Sequence, residues 1–128
     1  MDYENQNIIK LSEAPIIINQ LKKSNLSPLF NLNPELNHSS VDNLKKVCYE
    51  IPVIISFDWK NWDEGIKAFN EKNFKNHSSI FLFKMLTFII RRDRVWGNFI
   101  YSCLKEGIIQ QIISEIEKNL ERNEKNKD

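Results

Sequence analysis

Apolar residues recur at three- and four-residue spacing through most of the second half of this chain. Ile108, Ile109, Ile112, Ile113, Ile116 and Leu120 fall on one face of a helix, and Gly107 stands just ahead of it as a C′ glycine ending the helix before. That earlier helix has Val95, Phe99, Ile100, Cys103 and Leu104 as inward positions and Asp93 as its cap. Residues 80–92 are apolar on nearly every side, which predicts a central buried helix capped by Ser78 or Ser79. Trp59, Trp62, Ile66 and Phe69 make the buried stripe of a helix starting at an Asp58 cap and running to about Lys72. Gly65 weakens that helix by ~1 kcal/mol relative to alanine, and its presence suggests close packing.

The first half is less regular. Ser12 as cap, Pro15 in the first turn, and Ile16, Ile17, Ile18 and Leu21 predict a helix over 13–23, with Lys22 and Lys23 near its end. Ser, Asn and Pro then dominate, and Pro28 and Pro34 hold the residues before them extended, so 24–40 reads as a long loop with a short turn at Pro28, Leu29 and Phe30. Ser40 caps a helix carrying Val41, Leu44, Val47 and Cys48 that ends near Glu50. Residues 52–57 are β-branched enough for a strand by propensity. A lone strand has no partner, so a buried extended segment or short helix is expected instead. The first ten residues are expected to fray or lie along the surface, and 121–128 to form a solvated tail.

Five to six helices, three glycines and no hairpin signal predict an all-α bundle. With 128 residues the chain is one domain, able to bury a core without metal or disulfide. A net charge of +1 supplies no global field toward nucleic acid or an acidic membrane. Cys48 and Cys103 lie in apolar helical contexts and are expected to be reduced core residues. The acidic, polar N-terminus is wrong for an export leader, and the apolar run over 80–90 is interrupted by Lys84 and shorter than the ~20 residues of a membrane span. A cytoplasmic setting follows as the expectation. The abundance of Asn, Lys and Ile suggests an AT-rich bacterial or phage genome, an association of composition alone.

Arg91, Arg92, Asp93 and Arg94 interrupt the apolar pattern between two helices, where charge persists only if paired, hydrogen-bonded or wet. Two readings stand. Arg91 and Arg94 form an anion pocket with the following helix start, since guanidinium forks suit carboxylate and phosphate; or Asp93 occupies the cap position itself and Asp58 takes an arginine in a buried pair that fixes the angle between helices. Adjacent Arg91 and Arg92 point different ways, so at most one faces inward. Trp59 and Trp62 read as core, whereas Trp96, beside small and polar neighbours, suits a partly exposed cation–π or partner contact. His38 and His77 are isolated, no zinc spacing is present, and Ser102 and Cys103 have no neighbouring histidine, so neither metal nor nucleophilic chemistry is expected. Asp63 with Glu64 and Glu115 with Glu117 read as solvated faces. Lys84, Arg91, Arg92, Arg94 and Lys105 would suit nucleic acid if they converged, but helical geometry scatters them, and the helix after Gly107 lacks an outward recognition surface beyond Gln110 and Gln111.

Two segments resemble a known pattern. Phe57-Asp58-Trp59-Lys60-Asn61-Trp62 is similar to F-D-W-x-x-W, and Leu86 through Arg91, Asp93, Arg94 and Asn98 to Gly107 is similar to L-T-x-x-I-R-x-[DE]-R-F-x-x-G followed by a helix and a closing glycine. Together they resemble a bacterial family catalogued as domain of unknown function 6508, over about 48–120, with 1–47 a variable N-terminal helix and loop. Arg92 and Asn98 stand where the pattern has glycine, Val95 where it has phenylalanine, and Gly97 comes one position early. The resemblance implies a fold and a site location, and no reaction. The functional expectation is a macromolecular binding module in phage defence or counter-defence, with another protein as partner and a site at Arg91, Asp93, Arg94, Trp96 and Asp58. A small-anion or nucleotide-binding enzyme at the same corner is the alternative and nucleic-acid binding the third reading. No cofactor is expected.

Overall fold

The computed structural model describes residues 8–21, 23–32, 38–51 and 53–122. Expectations placed on Lys22, Pro34, Pro52 and the ends of the chain at 1–7 and 123–128 lie outside the described residues. The fold is all-α with seven helices among the described residues, more than the five to six expected: α1 (Ala14–Gln20), α2 (Ser27–Phe30), α3 (His38–Glu50), α4 (Asp63–Asn70), α5 (Ser79–Val95), α6 (Phe99–Lys105) and α7 (Ile108–Glu121). Two short strands, β1 (Ile9–Lys10) and β2 (Ile55–Ser56), pair in parallel.

Helix α5 is the axis of the molecule. Its N-cap is Ser78, whose hydroxyl accepts the Phe81 amide at 3.1 Å, and every residue from Ser79 to Ile90 except Lys84 is buried. Helices α6 and α7 pack against it. The Gly107 elbow between them has φ of 76°, a left-handed conformation that glycine adopts without steric penalty, so the expected C′ glycine is in place. Ile108, Ile109, Ile112 and Ile116 of α7 are buried as the spacing predicts. Glu115 and Asn119 are buried too, which corrects the reading of Glu115 as solvated. Glu115 pairs with Lys118 at 3.1 Å, and Asn119 donates to the His77 carbonyl at 2.9 Å, fastening the turn ahead of α5.

The larger corrections concern the first half. Residues 52–57 do find a strand partner: Ile9 pairs with Ile55 and Lys10 with Ser56, so Ile9, expected to fray, is only 3% exposed. Thr87 secures this pair to α5. Its buried hydroxyl accepts the Ile55 amide at 3.0 Å and donates to the Phe83 carbonyl at 2.9 Å, so no polar group there is left unsatisfied. Ser12 and Ser40 do not cap their helices: α1 follows a 3-10 turn at Leu11–Glu13, and α3 begins ahead of Ser40, at His38. The loop at 24–40 contains a 3-10 turn, Lys23–Leu26, and α2, whose Leu26 and Leu29 are fully buried. Helix α4 starts at Asp63 after a separate 3-10 turn, Trp59–Asn61, and ends at Asn70. Gly65 packs under the Trp62 ring so closely that a Cβ there would run into the indole.

Candidate functional site

The junction between α5 and α6 lies three residues later than the charge pattern suggests. Arg91, Arg92, Asp93 and Arg94 form the last turns of α5, not the gap between helices, and Val95, expected to face inward, is 61% exposed at its end. Trp96, Gly97 and Asn98 make the turn, with Asn98 in the left-handed region at φ 69°.

Asp93 caps α6 from a distance. Its Oδ1 accepts the Ile100 amide at 2.9 Å, seven residues on, so it satisfies a first-turn donor of α6 while belonging to α5. Its other oxygen lies 3.3 Å from Lys45 Nζ of α3, with the Asp93 side chain only 10% exposed. Asp93 therefore ties three helices together and is not available to a ligand. Lys45 was not singled out from sequence, where nothing marks one lysine on a helix as the partner of an aspartate 48 positions away.

Asp58 does not neutralise the arginines. It is exposed, and its carboxylate accepts the Asn61 side-chain amide at 2.8 Å. Among the described residues it pairs with no arginine, which removes the buried Asp58–arginine network. The arginines divide as adjacent positions on a helix must. Arg92 lies on one side among aromatic rings, its guanidinium carbon 4.0 Å from the Trp96 ring centroid, 5.0 Å from Phe99 and 5.4 Å from Phe88. Trp96 is 57% exposed and held by that contact, the partly exposed cation–π arrangement expected for it.

Arg91 and Arg94 turn to the opposite side and meet in an open hollow of about 360 Å³. Ile55, Ser56 and Phe57 form one wall, Trp59 and Lys60 the next, and Val95 the edge. No lining residue carries a carboxylate. Arg91 is braced against the Tyr49 ring, 5.8 Å from its centroid, and Lys60 lies 5.6 Å from that of Trp59. Neither Arg91 nor Lys60 joins an ion pair among the described residues, whereas Arg94 is engaged by a further contact. Trp59 reaches the core as expected, edge-on to Phe88 at 6.2 Å, and lines the hollow as well. Ser56 and Lys60 were missed. The available signal was the F-D-W-x-x-W segment itself, since the residues around its first tryptophan form the wall facing α5.

The remaining candidates are structural. Both cysteines are buried and free, and burial pushes each thiol up to about 12, far from the thiolate that nucleophilic chemistry needs. His77 stacks on Phe81 with centroids 4.0 Å apart, and its Nε2 lies 2.9 Å from the Asn73 carbonyl. Lys84 sits over Phe57 and Trp62 and Arg92 against Trp96, so of the basic group expected to scatter only Arg91 and Arg94 line one hollow. Among the described residues no helix is long and apolar enough to cross a membrane.

No curated protein matches the chain, and no solved structure matches it. Residues 19–122 match the family described as "Family of unknown function (DUF6508)", which takes in α2 and the first ten residues of α3 ahead of Cys48, where the motif resemblance begins. Since that match spans most of the sequence and includes the elements around the α5 hollow, the chain belongs to the DUF6508 family.

Proposed function

We propose that this chain is a binding module that engages another protein through the end of α5. Val95 and Trp96 supply the apolar contact, and the neighbouring hollow seats an acidic group of the partner. One observation carries the reading: two large apolar side chains, 61% and 57% exposed, stand beside a hollow whose Arg91 and Lys60 have no ion-pair partner among the described residues. Tryptophan and arginine are among the side chains on which binding energy concentrates in protein interfaces, and here both kinds stand together at the end of one helix. A cytoplasmic setting belongs to the same reading, consistent with two buried cysteines that form no disulfide with each other.

The alternative, a small-anion or nucleotide site, uses the same hollow without Trp96. Nucleic-acid binding draws less support, because Arg92 is held against Trp96 and Lys84 over Phe57 and Trp62, and neither lines the hollow. The test is retention of a protein partner by the wild type and by Trp96→Ala and Arg91→Ala variants of unchanged thermal stability. Loss of the partner in both supports docking at this corner. Undiminished retention by both removes the site.

A further inference from the structure

We propose that the hollow between β2 and the end of α5 binds a phosphate monoester, with Arg91 and Lys60 as its main contacts and Trp59 as the wall against the group that carries the phosphate. The proposal rests on the reading of this corner as the working surface and adds the chemistry it recognises. Three cationic side chains, Lys60, Arg91 and Arg94, and the Ser56 hydroxyl border one hollow, with no acidic residue in its lining. The two nearest carboxylates in sequence are turned to other partners, Asp58 to Asn61 and Asp93 to Lys45 and the Ile100 amide. A carboxylate brings one charge and two oxygens. A phosphate monoester brings about −1.5 to −2 and three strong acceptors, which better matches several cations converging from two directions.

Preorganisation points the same way. Arg91 rests on the Tyr49 ring, so its planar fork is oriented before a ligand arrives and little side-chain entropy remains to be lost. Arg94 is already engaged by a contact of its own, so Arg91 and Lys60 carry the charge that meets the anion. At about 360 Å³ the hollow exceeds the needs of a lone phosphate, and Ile55, Phe57, Trp59 and Val95 supply apolar wall for an attached flat group. Its open mouth suits either a phosphorylated side chain projecting from a partner or a free phosphorylated metabolite.

The full chain is titrated by calorimetry with phenyl phosphate, inorganic phosphate and benzoate, and with a short phosphotyrosine peptide. The expected result is binding of phenyl phosphate about tenfold tighter than benzoate, tighter than inorganic phosphate, and weakened about tenfold by Arg91→Ala or Lys60→Ala. Arg92→Lys, on the opposite side of α5, leaves it unchanged. Equal affinity for benzoate, or no effect of Lys60→Ala at an exposed position where folding is not at risk, overturns the phosphate assignment. A peptide about tenfold tighter than phenyl phosphate identifies a phosphorylated side chain as the source, and a peptide no tighter identifies a small metabolite; both uphold the chemistry. If phenyl phosphate fails to bind while Trp96→Ala still abolishes partner retention, the phosphate assignment falls and protein docking stands. If phenyl phosphate binds and Trp96→Ala changes nothing, protein docking falls and the phosphate site stands.

Discussion

Asp93 and Ile100 are joined across the α5–α6 turn, the carboxylate of one helix accepting the first-turn amide of the next at 2.9 Å. The same carboxylate meets Lys45 of α3 at 3.3 Å, so one side chain sets the relative positions of three helices and, through them, the angle at which Trp96 is presented. Asp93→Ala removes the cap and strands a mostly buried lysine, and is expected to lower unfolding free energy by about 2–3 kcal/mol. Asp93→Asn keeps an acceptor for Ile100 and should lose about half of that. Urea denaturation of the three proteins checks the order; equal stability of Asp93→Ala and wild type would show that the node contributes nothing.

Thr87 is the hinge between the strand pair and the helical core. Thr87→Val conserves shape but leaves the buried Ile55 amide without its acceptor, for an expected loss of about 1–3 kcal/mol. Hydrogen exchange at Ile55 should accelerate with it. Thr87→Ser keeps both hydrogen bonds and should preserve that amide's protection, a contrast that a purely steric role for Thr87 would not produce.

Glycine-to-alanine changes should separate three situations. At Gly65 helix propensity favours alanine, yet the new methyl runs into the Trp62 ring, and overpacking of about 1–3 kcal/mol should win. At Gly107 there is room, and the penalty of about 1–2 kcal/mol comes from φ of 76°. Gly97 has neither constraint and its variant should melt with the wild type. Thermal unfolding of the three variants reads this directly.

The cysteines give a pH dependence with a definite sign. Each thiol is raised from 9.0 to about 12 by burial, so between those values the unfolded chain is deprotonated while the native protein keeps the proton. Stability from these groups is complete below pH 9 and falls as pH rises toward 12, by at most about 1.4 kcal/mol per pH unit per thiol. Near pH 8 a disulfide reagent should leave both cysteines unmodified in the native protein and react with two per chain in denaturant. Rapid native-state labelling would contradict the burial of both.

Trp96 should be nearly dispensable for folding. With 57% of its surface exposed and one cation–π contact, its replacement by alanine is expected to cost no more than about 1 kcal/mol. A melting curve close to wild type checks this, and makes the variant a clean probe of binding. A collapse in stability would show that Arg92, Phe99 and Trp96 form a structural cluster.

The residues that sequence reading located best are those whose role depends on near neighbours. The isoleucine face of α7, the Ser78 cap and the Gly107 elbow follow from spacing and backbone preference within a few positions, so they were legible. Misplaced elements depended on distant partners. The strand character of Ile55 was visible, but its mate Ile9 lies 46 residues earlier in a segment with no pattern of its own. Asp93 as a cap for α6 is legible in the sequence, while its place inside α5 is not, because an unbroken helix and a helix end carry the same charges here.

By itself the sequence determined an all-α chain, two buried thiols, an exposed tryptophan and the arginine-rich corner, because periodicity, capping and side-chain chemistry are local properties. Only the tertiary structure decided how that corner is used. Packing sends Arg91 and Arg94 into the hollow with Lys60, sends Arg92 onto Trp96, and commits Asp93 to Lys45 and Ile100. A helix places consecutive residues about 100° apart, so which arginine meets which neighbour depends on the elements packed around α5.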